Sequence, residues 1–136
     1  MRNLPPKAII GMIHTLALPG SPYYGGDIKS VINRAIEDLK IYEEAGIGAV
    51  MLENMYDLPY VKPPLSRSTV GGMLRVAQEL RSRTKLPIGI QMLEVANLEA
   101  LEIAARADLD FIRVENFVFV HVGPVGLVEG SAGALF

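Results

Sequence analysis

The sequence predicts an α/β fold built around a parallel β-sheet, and three observations indicate it. Short aliphatic runs, such as 49–52 and 88–92, are typical of strands buried on both faces. Longer segments between these runs place apolar residues at helical spacing. Two of the runs lead into the same Glu-Asn pair, at 53–54 and 115–116. Parallel sheets keep their ligands beside the carboxyl ends of the strands, so a functional site is expected there.

The first predicted unit is a strand over residues 7–13 that ends at His14. The loop over 18–26 is dense in Gly and Pro, and loops of this length are usually functional or mobile. Asp27 is the expected N-cap of a helix that ends at Gly46. Its apolar face consists of residues at helical spacing, namely Ile28, Val31, Ile32, Ala35, Leu39 and Tyr42.

The second predicted unit is a strand over 49–52 that continues into Glu53. Ser66 or Ser68 is the expected N-cap of its helix. Gly71 and Gly72 are poor helix formers, so the first turn is expected to be closely packed or to lie near a ligand. The apolar face of this helix is Val70, Met73, Leu74, Ala77 and Leu80.

The third unit is a strand over 88–92 and a helix that begins near Asn97, after which a fourth strand begins at Phe111. Three successive βα units predict a parallel sheet with right-handed crossovers. Beyond the fourth strand the chain stays apolar, turns at 123–124 and begins a further helix near 130–133.

The composition excludes several classes of protein. With 13 basic and 15 acidic residues, the chain has no bulk charge that would attract nucleic acid. It has no cysteine, which excludes disulfides and thiolate chemistry. No apolar run approaches the ~20 residues of a membrane span, and no signal peptide is evident. We therefore expect no transmembrane segment and a location in the cytoplasm or an organelle matrix.

Alternation along the strands predicts which side chains share a face. If Glu53 faces inward, so do Met51 and Ala49, whereas Val50 and Leu52 face the helices. In the first strand, an inward His14 directs Ile9 and Ile13 outward. In each strand the polar residue has the parity opposite to the branched aliphatic residues. The pattern predicts an inward polar cluster at one end of the sheet: His14, Glu53, Gln91, Arg113 and Glu115.

This cluster has two chemical interpretations. Carboxylates with a histidine and an arginine could transfer protons next to a carbonyl or a phosphate ester, with His14, Glu53 and Glu115 as the catalytic candidates. Alternatively, those three residues could bind a divalent cation. No HExxH, P-loop, GxGxxG or Ser-centred elbow is present, so the standard protease, nucleotide and hydrolase mechanisms lack support.

Each residue also has a structural interpretation. His14 could be a neutral histidine bonded to backbone, and Arg113 could form an ion pair that neutralises buried carboxylates. Gln91 could be a satisfied amide. Besides Gln91 and Arg113, the candidates for substrate binding are Asn54, Asp57 and Asn116, and the two asparagines could be turn residues. The last candidate, Asp57, is a loop residue unless its loop folds over the site, and His121 is expected on the surface.

Motifs in each of the four units match a known family. They are residues 10–14, 18–22, Glu53, Asn54, Asp57, 59–60, Asn97, 100–101, 111–113 and Glu115. With these motifs the chain resembles the BtpA family, also called the BtpA/SgcQ family, of (β/α)8 TIM barrels. The resemblance runs from about residue 7 to residue 133 and implies a barrel akin to the ribulose-phosphate-binding group, acting on a small phosphorylated or sugar-like metabolite. Founding members are linked to photosystem I biogenesis, which implies the alternative of a non-catalytic assembly factor.

The sequence departs from the family in two respects. Residues 124–125 are Pro-Val, where family members tend to be acidic before the glycine that is here Gly126. A closed barrel needs roughly 200 residues or more, so we expect residues 1–136 to form a partial TIM-barrel domain with strands 1–4, helices 1–3 and the start of helix 4. Such a half has an open edge that a second copy or a protein partner would cover. A truncated product without activity of its own is the remaining interpretation.

Overall fold

A computed structural model describes residues 3–136, and it has the predicted α/β architecture. A parallel sheet has four strands in the order β1-β2-β3-β4. The strands are Ile10–His14 (β1), Ala49–Glu53 (β2), Ile88–Gln91 (β3) and Phe111–Ile112 (β4). Helices alternate with them, namely Ile28–Glu44 (α1), Arg67–Arg81 (α2) and Asn97–Arg106 (α3). The prediction of three successive βα units feeding a parallel sheet is confirmed.

Two edges of the sheet differ from the prediction. β1 begins at Ile10, so Ile9 lies outside the strand and is 70% exposed, and the prediction that it faces the helices is wrong. β4 ends at Ile112, three residues before Glu115. The strand at each edge has a neighbour on one side only, because β1 pairs with β2 and β4 pairs with β3.

The chain after β4 forms a short antiparallel hairpin that the sequence did not predict. Its strands are His121–Gly123 (β5) and Gly126–Val128 (β6), joined at the predicted turn. A single helical turn, Ala132–Leu135 (α4), follows where a further helix was expected to begin. Among the described residues, no helix is long and apolar enough to cross a membrane.

The main hydrophobic core lies between the sheet and the helices. Val50 and Leu52 belong to it, whereas Ala49 and Met51 lie outside that cluster although both are buried. This division follows from the opposite faces that successive residues of a strand occupy. The inferred parity of β2 is therefore confirmed, and Glu53 lies on the side away from the helices.

Helices α1 and α2 begin at predicted caps. The Asp27 carboxylate accepts hydrogen bonds from the amides of Lys29 and Ser30, and the Ser66 hydroxyl accepts one from the amide of Thr69. Gly46 follows α1 with a φ of +71°, a conformation that glycine adopts without a steric cost.

The glycines in α2 allow the β1–α1 loop to pack closely. A Cβ at Gly72 would lie 2.7 Å from Cδ of Pro19, whereas a Cβ at Gly71 would meet nothing within 4 Å. The Thr69 hydroxyl donates a hydrogen bond to the Pro19 carbonyl oxygen at 3.0 Å. Close packing, the first of the two predicted explanations, thus accounts for Gly72.

Candidate functional site

Four of the five residues predicted to cluster lie side by side across the sheet. The strand register pairs His14 with Glu53 and Glu53 with Gln91. The amide of Arg113 donates to the carbonyl oxygen of Ile90, which continues the β3–β4 ladder by one step and brings Arg113 beside Gln91. We call these four residues, His14, Glu53, Gln91 and Arg113, the polar row.

Glu53 is the centre of the polar row. Its Oε2 lies 3.1 Å from Nε2 of His14, and its Oε1 accepts a hydrogen bond from Nη2 of Arg113 at 2.6 Å. Nε of Arg113 also donates to Oε1 of Gln91. The Glu53 side chain is only 4% exposed, whereas those of His14 and Arg113 are 37% and 52% exposed. A buried carboxylate is thus flanked by two side chains that solvent or a ligand can reach.

The structural interpretations of Arg113 and Gln91 hold alongside the chemical one, whereas His14 faces the Glu53 carboxylate and not a backbone group. A buried carboxylate is stable only when it is paired, and Arg113 supplies the opposite charge. The Gln91 amide is buried and its oxygen has a donor, as a satisfied amide requires. Arg113 therefore holds the row together while part of its guanidinium stays accessible.

Glu115 has different partners. Its Oε2 accepts a hydrogen bond from the amide of Val95 at 2.8 Å. Its own amide and carbonyl oxygen bond with the side chain of Asn97 at 3.1 Å and 2.7 Å. Because β4 ends at Ile112, strand alternation does not extend to Glu115. The expectation that it joins the other four in one cluster is wrong, and the contacts of Glu115 instead fix the β3–α3 loop.

No cation site forms from the predicted ligands. Among residues 3–136, no group of three or more His, Cys, Asp or Glu side chains is arranged to hold a metal ion. The set of His14, Glu53 and Glu115 considered for a divalent cation is therefore not assembled.

Asn54 and Asp57 form a second buried group, which we call the loop clamp. Asn54 accepts a hydrogen bond from the amide of Leu93 at 2.8 Å and donates one to Oδ2 of Asp57 at 3.0 Å. Oδ1 of Asp57 accepts from the amide of Leu18 at 2.7 Å. The loop clamp thus ties together the loops that follow β1, β2 and β3.

The environment of Asp57 changes its acidity. Burial raises the pKa of Asp57, and the hydrogen bonds from Leu18 and Asn54 oppose that rise. Asn54 also has the turn role considered for it, because its carbonyl oxygen accepts from the amide of Asp57 at 3.2 Å. The hydrogen bond to Leu18 joins the loop of Asp57 to the loop that follows β1.

Asn116 lies beside the hairpin, away from the contacts of the polar row. Its φ is +52°, which suits a turn residue, and its Oδ1 lies 2.6 Å from Nδ1 of His121. The Nδ2 of Asn116 is buried and has no hydrogen-bond partner among the described residues. His121 is exposed, as expected.

Two polar residues at these loops were not singled out from the sequence. The first is Glu94. Burial raises the pKa of Glu94, and the negative charge of Glu115 raises it further, whereas His121 lowers it. The position of Glu94 just after β3 was a usable signal, since polar residues after the other strands were chosen as site candidates. Ser21 has a buried Oγ without a partner in the described structure, and nothing in a turn-rich loop distinguishes it by sequence.

The segments that form these groups match a known family. A sequence model described as the BtpA family matches residues 5–136. The chain belongs to the BtpA family. This result confirms the resemblance inferred from the sequence, and the match covers the polar row, the loop clamp and the hairpin.

Individual BtpA-family relatives match at moderate identity. An uncharacterised protein of Pyrococcus horikoshii is 42% identical over 129 residues, which are 95% of this chain and 49% of that protein. An uncharacterised mitochondrial protein of Caenorhabditis elegans is 39% identical over 132 residues, 93% of this chain and 48% of that protein.

A third relative has a functional name. The photosystem I biogenesis protein BtpA of Synechocystis is 32% identical over 127 residues, which are 93% of this chain and 44% of that protein. The chain thus spans about half the length of the curated relatives it matches. No solved structure matches it significantly.

Proposed function

We propose that this BtpA-family chain forms the first four strands of a (β/α)8 TIM barrel, and that the polar row is part of an active site for a small phosphorylated or sugar-like metabolite. The four-stranded parallel sheet and its alternating helices support the barrel. Active sites of TIM barrels lie at the carboxyl ends of the strands, where the polar row is found. The relatives are about twice as long as the region that this chain matches, which is enough sequence for the remaining strands of a barrel.

The observation that carries this proposal is the pairing of buried Glu53 with two accessible side chains. A carboxylate 3.1 Å from Nε2 of His14 favours a proton on that nitrogen. In that tautomer the ring offers Nδ1 as a proton acceptor, and a carboxylate that orients an imidazole is a recurrent device in acid–base catalysis. His14 would be the base, and Glu53 would orient it.

Arg113 would bind the anionic part of the metabolite. A guanidinium has five N–H donors. In the described structure, the hydrogen bonds of Arg113 to the polar row use Nε and Nη2. The Arg113 side chain is 52% exposed. Its Nη1 can therefore donate to a phosphate or carboxylate, for which arginine has suitable geometry. The proposed reaction is proton transfer next to a carbonyl or a phosphate ester.

The other predicted residues take supporting places in this proposal. Gln91 would fix the orientation of Arg113, and the loop clamp of Asn54 and Asp57 would position the loops around the metabolite. Glu115 was predicted as catalytic and Asn116 as substrate-binding. In this proposal both would act indirectly, by fixing loops near the metabolite. Their roles remain predictions.

Ligand binding with matched variants tests the proposal. The full-length protein should gain thermal stability with one or more members of a panel of sugar phosphates, because binding to the native state raises the melting temperature. Arg113→Met should abolish the shift, whereas Arg34→Met, which removes an exposed arginine on α1, should preserve it. Glu53→Gln should retain binding but abolish turnover. Equal shifts in both arginine variants would reject the assignment.

A non-catalytic role in protein assembly is the second candidate, and the exposed apolar surface of the hairpin region favours it. The relative in Synechocystis is named for photosystem I biogenesis. This surface is more apolar than is usual for a region exposed to solvent, and a second copy or a protein partner could cover it. Its members are Phe117, Val118, Phe119, Val120, Val122 and Leu127, which are between 42% and 82% exposed.

Light scattering and size-exclusion chromatography of the full-length protein test that alternative. A stoichiometric oligomer or complex should dissociate in Phe119→Ser but persist in Tyr23→Ser, because Tyr23 is a comparably exposed aromatic residue on another loop. A monomer that binds metabolites and keeps no partner would exclude it.

A further inference from the structure

The hairpin region that follows β4 is an ordered projection of the molecule. Its two ends are joined by a backbone hydrogen bond from the amide of Ala132 to the carbonyl oxygen of Phe117 at 2.9 Å. A Cβ at Gly130 would lie 2.3 Å from the carbonyl oxygen of Val118, so only glycine lets these two segments approach so closely. The side chains of the region are therefore held in place before any partner binds, which lowers the entropic cost of binding.

The two faces of the hairpin have different environments. In the antiparallel register His121 pairs with Val128, and Val122 pairs with Leu127. Successive residues of a strand point to opposite faces, so these two pairs lie on opposite faces of the hairpin. Val128 is buried, whereas Val122 and Leu127 are 77% and 58% exposed. One face thus packs on the protein, and the other presents an apolar cross-strand pair to solvent.

The apolar surface of the hairpin region is large enough for an interface. Phe119 is 82% exposed, and the other five members of the surface are at least 42% exposed. An aromatic side chain has roughly 150–250 Å² of surface, so the six together present on the order of 600 Å². Monomers rarely expose apolar patches larger than a few hundred Å². A standard stable interface buries about 800 Å² on each partner, which is close to what this surface offers.

The absence of charge favours a second copy of the same chain as the partner. Residues 117–128 contain no Asp, Glu, Lys or Arg. In a two-fold symmetric dimer both subunits use the same surface, so a charge near the axis would face the same charge. Selection of a different protein usually relies on complementary charges, which this surface does not offer. Lys62 and Glu129 lie beside Leu127 with opposite charges, as in the polar rim of an interface.

We propose that the apolar surface binds the same surface of a second copy, with the Val122–Leu127 pairs of the two subunits facing each other across a two-fold axis. The proposal rests on the surface that favours the assembly role considered above, and it names the partner in that role. It does not depend on the metabolite site, because no residue of the polar row belongs to this surface.

Sedimentation velocity of the full-length protein at micromolar concentrations tests the proposal. The wild type should sediment as a dimer. Val122→Glu and Val122→Lys should each weaken self-association at least about 100-fold, because like charges then face each other across the axis. An equimolar mixture of the two variants should recover a dimer, since opposite charges then meet. Tyr23→Glu changes a comparably exposed aromatic residue on another loop, so this control should leave the dimer intact.

Circular dichroism of each variant checks the fold, and Leu127→Glu with Leu127→Lys is a second pair of variants for the same contact. A monomeric wild type would overturn the proposal, and it is the result expected if another part of the chain or a different protein covers the surface. A dimer that persists in both charged variants, or a mixture that stays monomeric, would also overturn it. Arg113→Met should leave the dimer intact, which separates a failure here from a failure of the polar row.

Discussion

Removing Arg113 should destabilise the protein much more than neutralising Glu53, although the two side chains form one ion pair. The pair joins Nη2 of Arg113 to Oε1 of Glu53 at 2.6 Å. Its members differ in exposure, because the Glu53 side chain is 4% exposed and that of Arg113 is 52% exposed. The two variants to compare are Arg113→Met and Glu53→Gln.

The expected magnitudes follow from what each variant leaves behind. Arg113→Met leaves a buried carboxylate with only His14 beside it, and breaking a buried pair in this way costs about 3–5 kcal/mol. The contact with His14 at 3.1 Å compensates in part, so we expect about 3 kcal/mol. Glu53→Gln leaves a guanidinium that water can solvate, and its cost should be about 1 kcal/mol.

Urea-induced unfolding of both single variants and of the double variant measures the difference. The double variant should be about 2 kcal/mol more stable than additivity of the two single variants predicts, since it leaves no unpaired buried charge. Equal and small losses in both single variants would refute the reasoning, because they would mean that water reaches Glu53 in the folded state.

Three further predictions concern the elements that surround the polar row. Asp57→Ala removes the acceptor for two buried donors and should cost about 2 kcal/mol or more. Because burial raises the pKa of Asp57 above 3.8, its contribution to stability is largest below that pH and falls as pH rises through the raised value. Gly72→Ala should lower stability by about 1–3 kcal/mol through overpacking. Gly71→Ala, which meets open space, should raise it by about 0.5–1 kcal/mol. Asn97→Ala should cost about 2 kcal/mol, because it leaves both backbone groups of Glu115 without their side-chain partner.

Chemical denaturation and hydrogen exchange check these predictions. Wild type and Asp57→Ala should differ less in stability as pH rises from 3 to 7, and a growing difference would contradict the assigned direction of the pKa. Gly72→Ala and Gly71→Ala should change stability in opposite directions. If the β1–α1 loop were not packed on α2, Gly72→Ala would not lower stability. In Asn97→Ala the amide of Glu115 should exchange faster, while amides in β2 keep their protection.

Most of the fold and four residues of the cluster followed from the sequence because the responsible forces are local or periodic. Branched aliphatic residues define the strands, and the period of two fixes the face that Glu53 and Gln91 occupy. The register of neighbouring parallel strands then places these polar residues side by side. The same alternation and register place His14 and Arg113 next to them.

The errors arose where tertiary contacts ended a pattern. The period of two predicts the position of Glu115 only while the chain remains a strand, and β4 ends at Ile112. The bond between Glu115 and the amide of Val95 depends on a loop that no local signal predicts. The loop clamp also joins three loops distant in sequence, so Asn54 and Asp57 could be selected as important but their partners could not be predicted.

A crystal structure of the full-length protein with a sugar phosphate that raises its melting temperature tests the central claim most directly. We expect the anionic group within hydrogen-bond distance of the Arg113 guanidinium, and a proton-bearing group of the ligand beside Nδ1 of His14. The four strands described here should continue into a closed barrel around them. A ligand bound away from the polar row, or a polar row covered by other parts of the protein, would contradict the account.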